Sequence, residues 1–333
     1  MPTDGRFSIA MPKRWWYPAC PSSALSSGPV GIELMETPMV VFRDGKGVAH
    51  VLLDRCPHRN LALSCGRVTK SGEIECGYHG WRFAGDGTCT AIPGLASGTT
   101  ATSPTRKVDS YPTTESDGFV WVWADPDSQP DKAPFALPAL RGSRAGEVVF
   151  DYDLDSTLHA ALENHLDVPH TAFLHRGIFR SGATNEIEVV RRPLDGGVEV
   201  EYIGEPVGFG PIRPSRTRDV TFDHWDRFFL PGIAQIEYRV GDWLRIVNTI
   251  IHLPLSPFRT RAWFVLRFWS PVPAAIVRPI VLARGRKILK QDATVLAQQT
   301  ANTRRFGGER YTSTDLDVIG NAIWRLLRQA ERA

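Results

Sequence analysis

Two short motifs within residues 56–79 constrain this chain more than any other part of it: Cys56-Pro-His58 and Cys76-Gly-Tyr-His79. Each sets a thiol and an imidazole on one tight loop, and 17 residues separate His58 from Cys76. A fold that brings the two loops together acquires a centre with two sulfur and two nitrogen ligands. Thiolates combined with imidazoles suit zinc or an iron–sulfur cluster. Zinc sites more often use C-x2-C knuckles, whereas one Cys and one His per loop let one iron take both thiolates and the other both imidazoles. Pro57, Gly77 and Gly80 suit loops whose backbone runs close to a cluster, and Arg59 and Trp81 adjoin the ligand positions. The bland alternative, two buried Cys and two unrelated His, leaves the matched spacing unexplained.

The remaining cysteines, Cys20, Cys65 and Cys89, show no partner pattern and read as small buried hydrophobes. Five cysteines over 333 residues, an odd number, do not make a disulfide framework. Lys and Arg total 39 against 36 Asp and Glu, and this net charge of +3 without a basic block argues against nucleic acid as a partner. The N-terminal residues lack a basic stretch followed by an apolar one, so the expected setting is cytoplasmic. The apolar stretch Phe268 to Leu282 is interrupted by Pro271, Pro273, Arg278 and Pro279, and no transmembrane segment is expected.

The chain is long enough for two domains. Its first part reads as short strands and Gly-containing turns, for example Met39 to Phe42 and Val48 to Leu53 around Asp44-Gly-Lys-Gly. Glu73-Ile-Glu75 and Phe119 to Trp123 continue this all-β pattern. Residues 126–146, rich in Pro, Asp and Gly, read as a linker between a domain at 1–125 and one at 147–333. The second domain mixes a helix near 156–168, strands between Val198 and Trp269, a helix over 286–303 and a last helix from Val318 to Gln329. The expected class is α+β.

That second domain holds a second constellation: Asn164, Asp167, His170 and His175. Pro169 should break the helix between the Asp and the first His. Two His near such a break can converge on a metal, and one added carboxylate makes the triad of a nonheme Fe(II) site. Taken alone, H-x4-H is as well explained by packing or surface residues. For the carboxylate, Asp292 falls within the apolar stripe of the 286–303 helix marked by Ile288, Leu289, Val295 and Leu296. A buried Asp there is costly unless it is paired or bound to a metal. Pairing with Arg304 is the ordinary alternative. Asp151, Asp153 and Asp155 compete by proximity but read as a charged strand edge. His165 has no motif role and reads as structural, as do His50, His159, His224 and His252.

Taken together, these residues make the chain resemble the catalytic α subunit of a Rieske nonheme iron oxygenase over nearly its whole length. The pair C-x-H…C-x2-H and N-x2-D-x2-H-x4-H carries the resemblance. The two-residue gap between Asn164 and Asp167 is similar to the O-demethylase and monooxygenase branch rather than to naphthalene-type ring dioxygenases. The resemblance implies an N-terminal Rieske [2Fe-2S] domain and a C-terminal helix-grip catalytic domain. It implies that Cys56, His58, Cys76 and His79 hold the cluster and that His170, His175 and Asp292 hold a mononuclear Fe(II). Asp167 then links a neighbouring subunit's cluster to the iron site, and Asn164 matches a position close to the iron. A homotrimer, O2 and a reductase or ferredoxin that passes on electrons from NAD(P)H follow from the same likeness.

The implied activity is oxidation of a C–H bond, and attack on an O- or N-methyl group releases formaldehyde. Trp225, Phe228, Phe229, Tyr238, Trp243, Trp263, Phe264 and Trp269 on the strands suit an apolar aromatic, polycyclic or sterol-like substrate, although aromatics on strands more often form core. Pro271 to Lys290, apolar and then basic, suits either a solvated face or a peripheral membrane contact. The competing functional reading is a non-catalytic Rieske electron carrier fused to a ligand-binding domain.

Overall fold

The computed structural model describes residues 6–140, 142–175, 188–204 and 221–332. Two compact units emerge, Lys13–Ala136 and Leu137–Ala333, the latter joined by the described residues that precede Lys13. Those first residues are held by Glu309: its carboxylate accepts from Ser8 N–H at 2.9 Å and from the Ser8 hydroxyl at 2.7 Å. The sequence reading had grouped them with residues up to 125. A two-residue hydrogen-bonded anchor at the opposite end of the chain leaves no periodic signal.

The unit Lys13–Ala136 contains three small antiparallel sheets. One pairs Trp16–Pro21 and Thr113–Ser116 with Phe119–Trp123. The second includes the expected hairpin, Thr37–Arg43 with Ala49–Leu53. The third joins Arg67–Val68, Ile74–Glu75, Arg82–Phe83 and Cys89–Ala91. Val40, Phe42, Leu52, Leu63, Ile74 and Phe83 fill a core that also holds Cys56, Cys76 and Cys89. Strands this short are stabilised chiefly by such packing and by whatever fixes their loops.

The other unit is built on seven antiparallel strands: β1 Ala145–Leu154, β2 Glu188–Leu194, β3 Gly197–Ile203, β4 Phe222–Phe229, β5 Ile233–Val240, β6 Leu244–Ser256 and β7 Arg259–Trp269. Their order is β1-β7-β6-β5-β4-β3-β2, so every strand after β1 pairs with its chain neighbour and β7 closes back on β1. Among the described residues four helices accompany the sheet: α1 Leu158–Leu166, α2 His170–Leu174, α3 Ala274–Arg305 and α4 Gly320–Arg332. This arrangement is the expected α+β class with an antiparallel sheet covered by helices.

Helix α3 is longer than the expected 286–303 because it continues toward the N-terminus through Pro279. A proline inside a helix costs one backbone hydrogen bond and crowds the preceding turn. Here the surrounding turns are mostly exposed, so the freed carbonyl can meet water. Of the stripe expected on α3, Leu289, Asp292 and Leu296 are buried, while Val295 is 40% exposed. Asp151 and Asp153 lie at the outer edge of β1, where Arg261 pairs with both. Among the described helices, none is long and apolar enough to cross a membrane.

Candidate metal centres

The two Cys/His loops share one backbone plan. Cys56 N–H donates to the Leu61 carbonyl at 2.9 Å, and Asn60 N–H donates to the Cys56 carbonyl at 2.9 Å. At the same offsets Cys76 N–H donates to the Trp81 carbonyl at 2.8 Å, and Gly80 N–H to the Cys76 carbonyl at 3.1 Å. Each loop turns through a left-handed residue four positions after its cysteine, Asn60 at φ 63° and Gly80 at φ 70°. Asn and Gly tolerate that conformation best. Glycine is further required at position 80, since a Cβ there would stand 2.9 Å from Pro93 Cγ.

This backbone turns the thiols inward and the imidazoles outward. Cys56 and Cys76 are buried, His58 is half-buried and His79 is exposed. The His58 and His79 rings meet edge to face at 4.4 Å, and His58 stacks on Trp81 at 4.8 Å. His58 Nδ1 is buried with no hydrogen-bond partner among the described residues. Burial pushes the Cys56 thiol up to about 11, and the neighbouring Cys76 adds to the shift. The metal-free thiol therefore stays protonated at neutral pH, and loading of a metal must release a proton. Two inward thiols, two imidazoles at the edge and an unpartnered ring nitrogen fit a [2Fe-2S] cluster whose irons have unlike ligands.

The second centre starts from α1. Its first turn is capped by Thr157, whose hydroxyl accepts from Ala160 N–H at 3.1 Å, and it buries Leu158, Ala161, Leu162 and Leu166. The helix ends at Leu166, Asp167 is extended, and Pro169 precedes the first turn of α2 at His170. His170 and His175 thus lie at opposite ends of one short helix, facing Asp292 of α3.

His170 Nε2 and His175 Nε2 are 3.3 Å apart, and Asp292 Oδ1 lies 3.7 Å from the first and 3.0 Å from the second. All three ligand atoms fall within 4.8 Å of one another. His175 Nδ1 lies 3.0 Å from the Gln291 side-chain amide oxygen Oε1, which only accepts and so holds the proton on Nδ1, whereas His170 Nδ1 lies 3.4 Å from Asp167 Oδ2 without a formed hydrogen bond among the described residues. A proton on each Nδ1 leaves two Nε2 lone pairs and a carboxylate oxygen pointed at a common space. Asp292 Oδ1 is buried with no well-formed hydrogen bond among the described residues. A divalent cation resolves that repulsion, and two imidazoles with one carboxylate are the donor set of a nonheme Fe(II) site with open positions.

Gln291 is the one supporting residue that sequence reasoning did not single out. Nothing in the chain distinguishes it beyond its place next to Asp292. Gln291→Leu is expected to weaken iron retention about 10-fold to 100-fold while leaving the fold intact, as measured by iron content after dialysis against a chelator.

A cavity of about 370 Å³ adjoins these ligands. Ile236 and Tyr238 of β5, Ile246, Asn248 and Ile250 of β6, and Phe264 and Leu266 of β7 face it from the sheet. Ile280, Val281, Arg284 and Ile288 of α3 face it from the other side. The alternation along β5, β6 and β7 is the strand period at work. Of the eight aromatics considered from sequence, Tyr238 and Phe264 line this cavity, whereas Phe228 is buried in the core and Trp243 is 39% exposed. His165 and Asp226 also line it, neither of which the motifs had marked.

A second cavity, of about 320 Å³, shares Asn164, Asp167 and His170 with the first and adds Glu163 and Asp317. Burial, then the charges of Asp167, Asp317 and Glu309, push the Glu163 carboxyl up to about 7. Ionising it costs more in the folded chain than in the unfolded one, so stability falls as pH rises from about 4.5 through 7. Glu163→Gln should remove about 1 to 2 kcal/mol of this pH dependence, read from denaturant midpoints at pH 5 and pH 8.

Comparison with known proteins places both parts of the chain in known families. Residues 15–112 match the Rieske [2Fe-2S] domain model, and residues 154–333, more than half of the chain, match the vanillate O-demethylase oxygenase C-terminal domain model. Dicamba O-demethylase, oxygenase component, of Stenotrophomonas maltophilia is 32% identical over 203 residues, covering 59% of this chain and 56% of that protein. Chlorophyllide a oxygenase of Chlamydomonas reinhardtii is 37% identical over 172 residues, covering 51% of this chain and 25% of that protein. The matched region spans between a quarter and just over half the length of these relatives. The crystal structure of dicamba monooxygenase bound to dicamba superposes with a TM-score of 0.80 at 22% identity, covering 97% of this chain and 98% of that one, and so shares its fold. The chain belongs to the Rieske nonheme iron oxygenases, in the branch whose catalytic domain is of the vanillate O-demethylase type.

Proposed function

We propose that the chain is the oxygenase component of a Rieske system, using O2 and reductase-supplied electrons to oxidise a C–H bond of a largely apolar substrate. The observation that carries this reading is the convergence of His170, His175 and Asp292 beside an apolar cavity, in a chain that also holds the paired Cys/His loops. Cys56, His58, Cys76 and His79 hold the cluster, and His170, His175 and Asp292 hold the iron. When bound, the cluster supplies one-electron transfer and the mononuclear iron supplies activation of O2. The chain's own side chains do the rest. Gln291 fixes the tautomer of His175, the Asp167 carboxylate lies 3.4 Å from His170 Nδ1, and the apolar part of the wall excludes water and orients the substrate. Oxidation of an aryl O- or N-methyl group, with loss of formaldehyde, is the reaction the branch favours.

Asp167 has a second part to play. Its side chain is 36% exposed, so a carboxylate oxygen remains open to a group from outside the unit while Oδ2 faces His170. In a head-to-tail homotrimer that group is a cluster imidazole of the next subunit, and Asp167 links the two centres. Asn164 sits one turn earlier, on the wall shared by both cavities, with a buried Oδ1 that has no hydrogen-bond partner among the described residues. The basic first half of α3 adds a surface suited to peripheral membrane contact.

The test is a turnover assay with the iron-loaded chain, a reductase, O2 and a set of aryl methyl ethers, in which O2 uptake must match product formed. Asp167→Asn should keep both metals but slow oxidation of the reduced cluster by about 10-fold to 100-fold in stopped flow. An unchanged rate contradicts the linking role, and O2 uptake without any product contradicts the oxygenase reading.

A further inference from the structure

The mouth of the larger cavity lies on α3. Of the described residues that line it, only Ile280 and Arg284 are exposed, and they stand one turn apart on the outer flank of that helix. Val281, Gly285 and Ile288 face inward beside them. From this mouth back past the start of the helix the outer face is apolar and open: Val272 is 43% exposed, Ile276 56% and Ile280 51%, at a spacing of four. Branched apolar side chains grouped in water on one face mark a contact surface. Trp243, 39% exposed, reaches the same end of the sheet, because Arg245 pairs with Trp269, the last residue of β7 before α3.

Positive charge follows the apolar turns. Arg278, Arg284, Arg286, Lys287 and Lys290 are all exposed, and no acidic residue occurs between Trp269 and Gln291. Among the described residues none of the five is ion-paired, whereas Arg227, Arg245 and Arg261 of the sheet each meet a carboxylate. Asp242, beside Trp243, is exposed as well and offsets one of the five. An acidic protein would match the cations and leave the apolar turns unexplained. A second copy of the same face would set five cations against five. An anionic lipid surface matches both features: the apolar turns reach the acyl boundary, while Lys and Arg keep their charged ends at the phosphates.

We propose that the segment from Val272 to Lys290 seats on an anionic membrane surface, and that the cavity mouth at Ile280 and Arg284 takes an apolar substrate from the bilayer rather than from water. This rests on the oxygenase reading for the cavity's purpose, while the seating itself is independent of iron. It turns a peripheral contact into an entry route. A substrate that partitions into lipid reaches the cavity without first being hydrated, and its local concentration at the mouth is that of the bilayer.

The test floats the iron-loaded full chain with vesicles of phosphatidylcholine alone or of an equal mixture with phosphatidylglycerol. The mixed vesicles should bind about tenfold tighter or better. Replacing Arg286, Lys287 and Lys290 together by Gln should weaken that binding about 10-fold to 100-fold, and Ile276→Gln about tenfold. None of these four residues lines the cavity. Entry is read with pyrene dissolved in the same vesicles. Once high salt has released the chain and the vesicles are spun out, it should carry pyrene that loaded about tenfold faster from the mixed vesicles. Ile246→Trp, which fills the cavity, should abolish pyrene retention and keep vesicle binding. Equal affinity for both vesicles, association with neither, binding that survives the Ile276 and charge changes, equal loading rates, or retention that survives Ile246→Trp overturns the proposal. Loss of affinity for an acidic ferredoxin in the charge variant, without vesicle association, overturns it in favour of a protein dock. The oxygenase reading fails separately, through the iron count of the same preparation.

Discussion

Replacing His175 by alanine is expected to empty the mononuclear site and spare the cluster, lowering iron from about three to about two per chain. Product formation should be lost, and the cluster's EPR signal should persist. The effect is large because His175 is nearly fully buried, its Nε2 lies 3.0 Å from Asp292 Oδ1, and its ring is oriented by Gln291. Removing it leaves one imidazole and one carboxylate, and the carboxylate loses its nearest partner in a buried setting. Asp292→Ala should give the same iron count. If either variant kept its third iron and turned over substrate, the ligand set would be different from the one proposed.

Cys76→Ser is expected to do the opposite, abolishing the cluster's colour and EPR signal while about one iron per chain remains. The stability of the unit Lys13–Ala136 should fall with it. Cys76 lies in that unit's core, the strands around it are two or three residues long, and their loops converge on the four proposed ligands. Loss of a bound metal centre removes folding free energy directly. A deficit of about 2 to 3 kcal/mol lowers the unfolding temperature by roughly 10 °C, measurable by calorimetry as a shift of one transition. An unshifted transition would mean that the sheets hold the loops without help.

Both proposed centres could be read from the sequence for the same reason: most of their ligands come in pairs at short spacing, one pair per loop or helix. The two Cys/His loops repeat a pattern that needs only a tight turn, and Pro169 marks the break between Asp167 and His170. Asp292 was legible because burial of Leu289 and Leu296 on the same face makes a carboxylate there anomalous. What the sequence hid depends on contacts across distant elements. Gln291 reaches His175 from another helix, and His252 reaches His165 from β6. His165 and His252 read as structural because neither falls on a ligand position of the two motifs. The length of α3 was hidden by Pro279, whose cost is local and whose exposure is decided by tertiary structure.

The central claim is that one chain holds two iron centres of different kinds. Iron and acid-labile sulfide analysis of the purified, iron-reconstituted chain, with EPR of the reduced protein, tests it most directly. The account predicts about three irons and two sulfides per chain with a Rieske-type signal. Two irons and two sulfides with no further site for Fe(II), or zinc in place of iron, would contradict it.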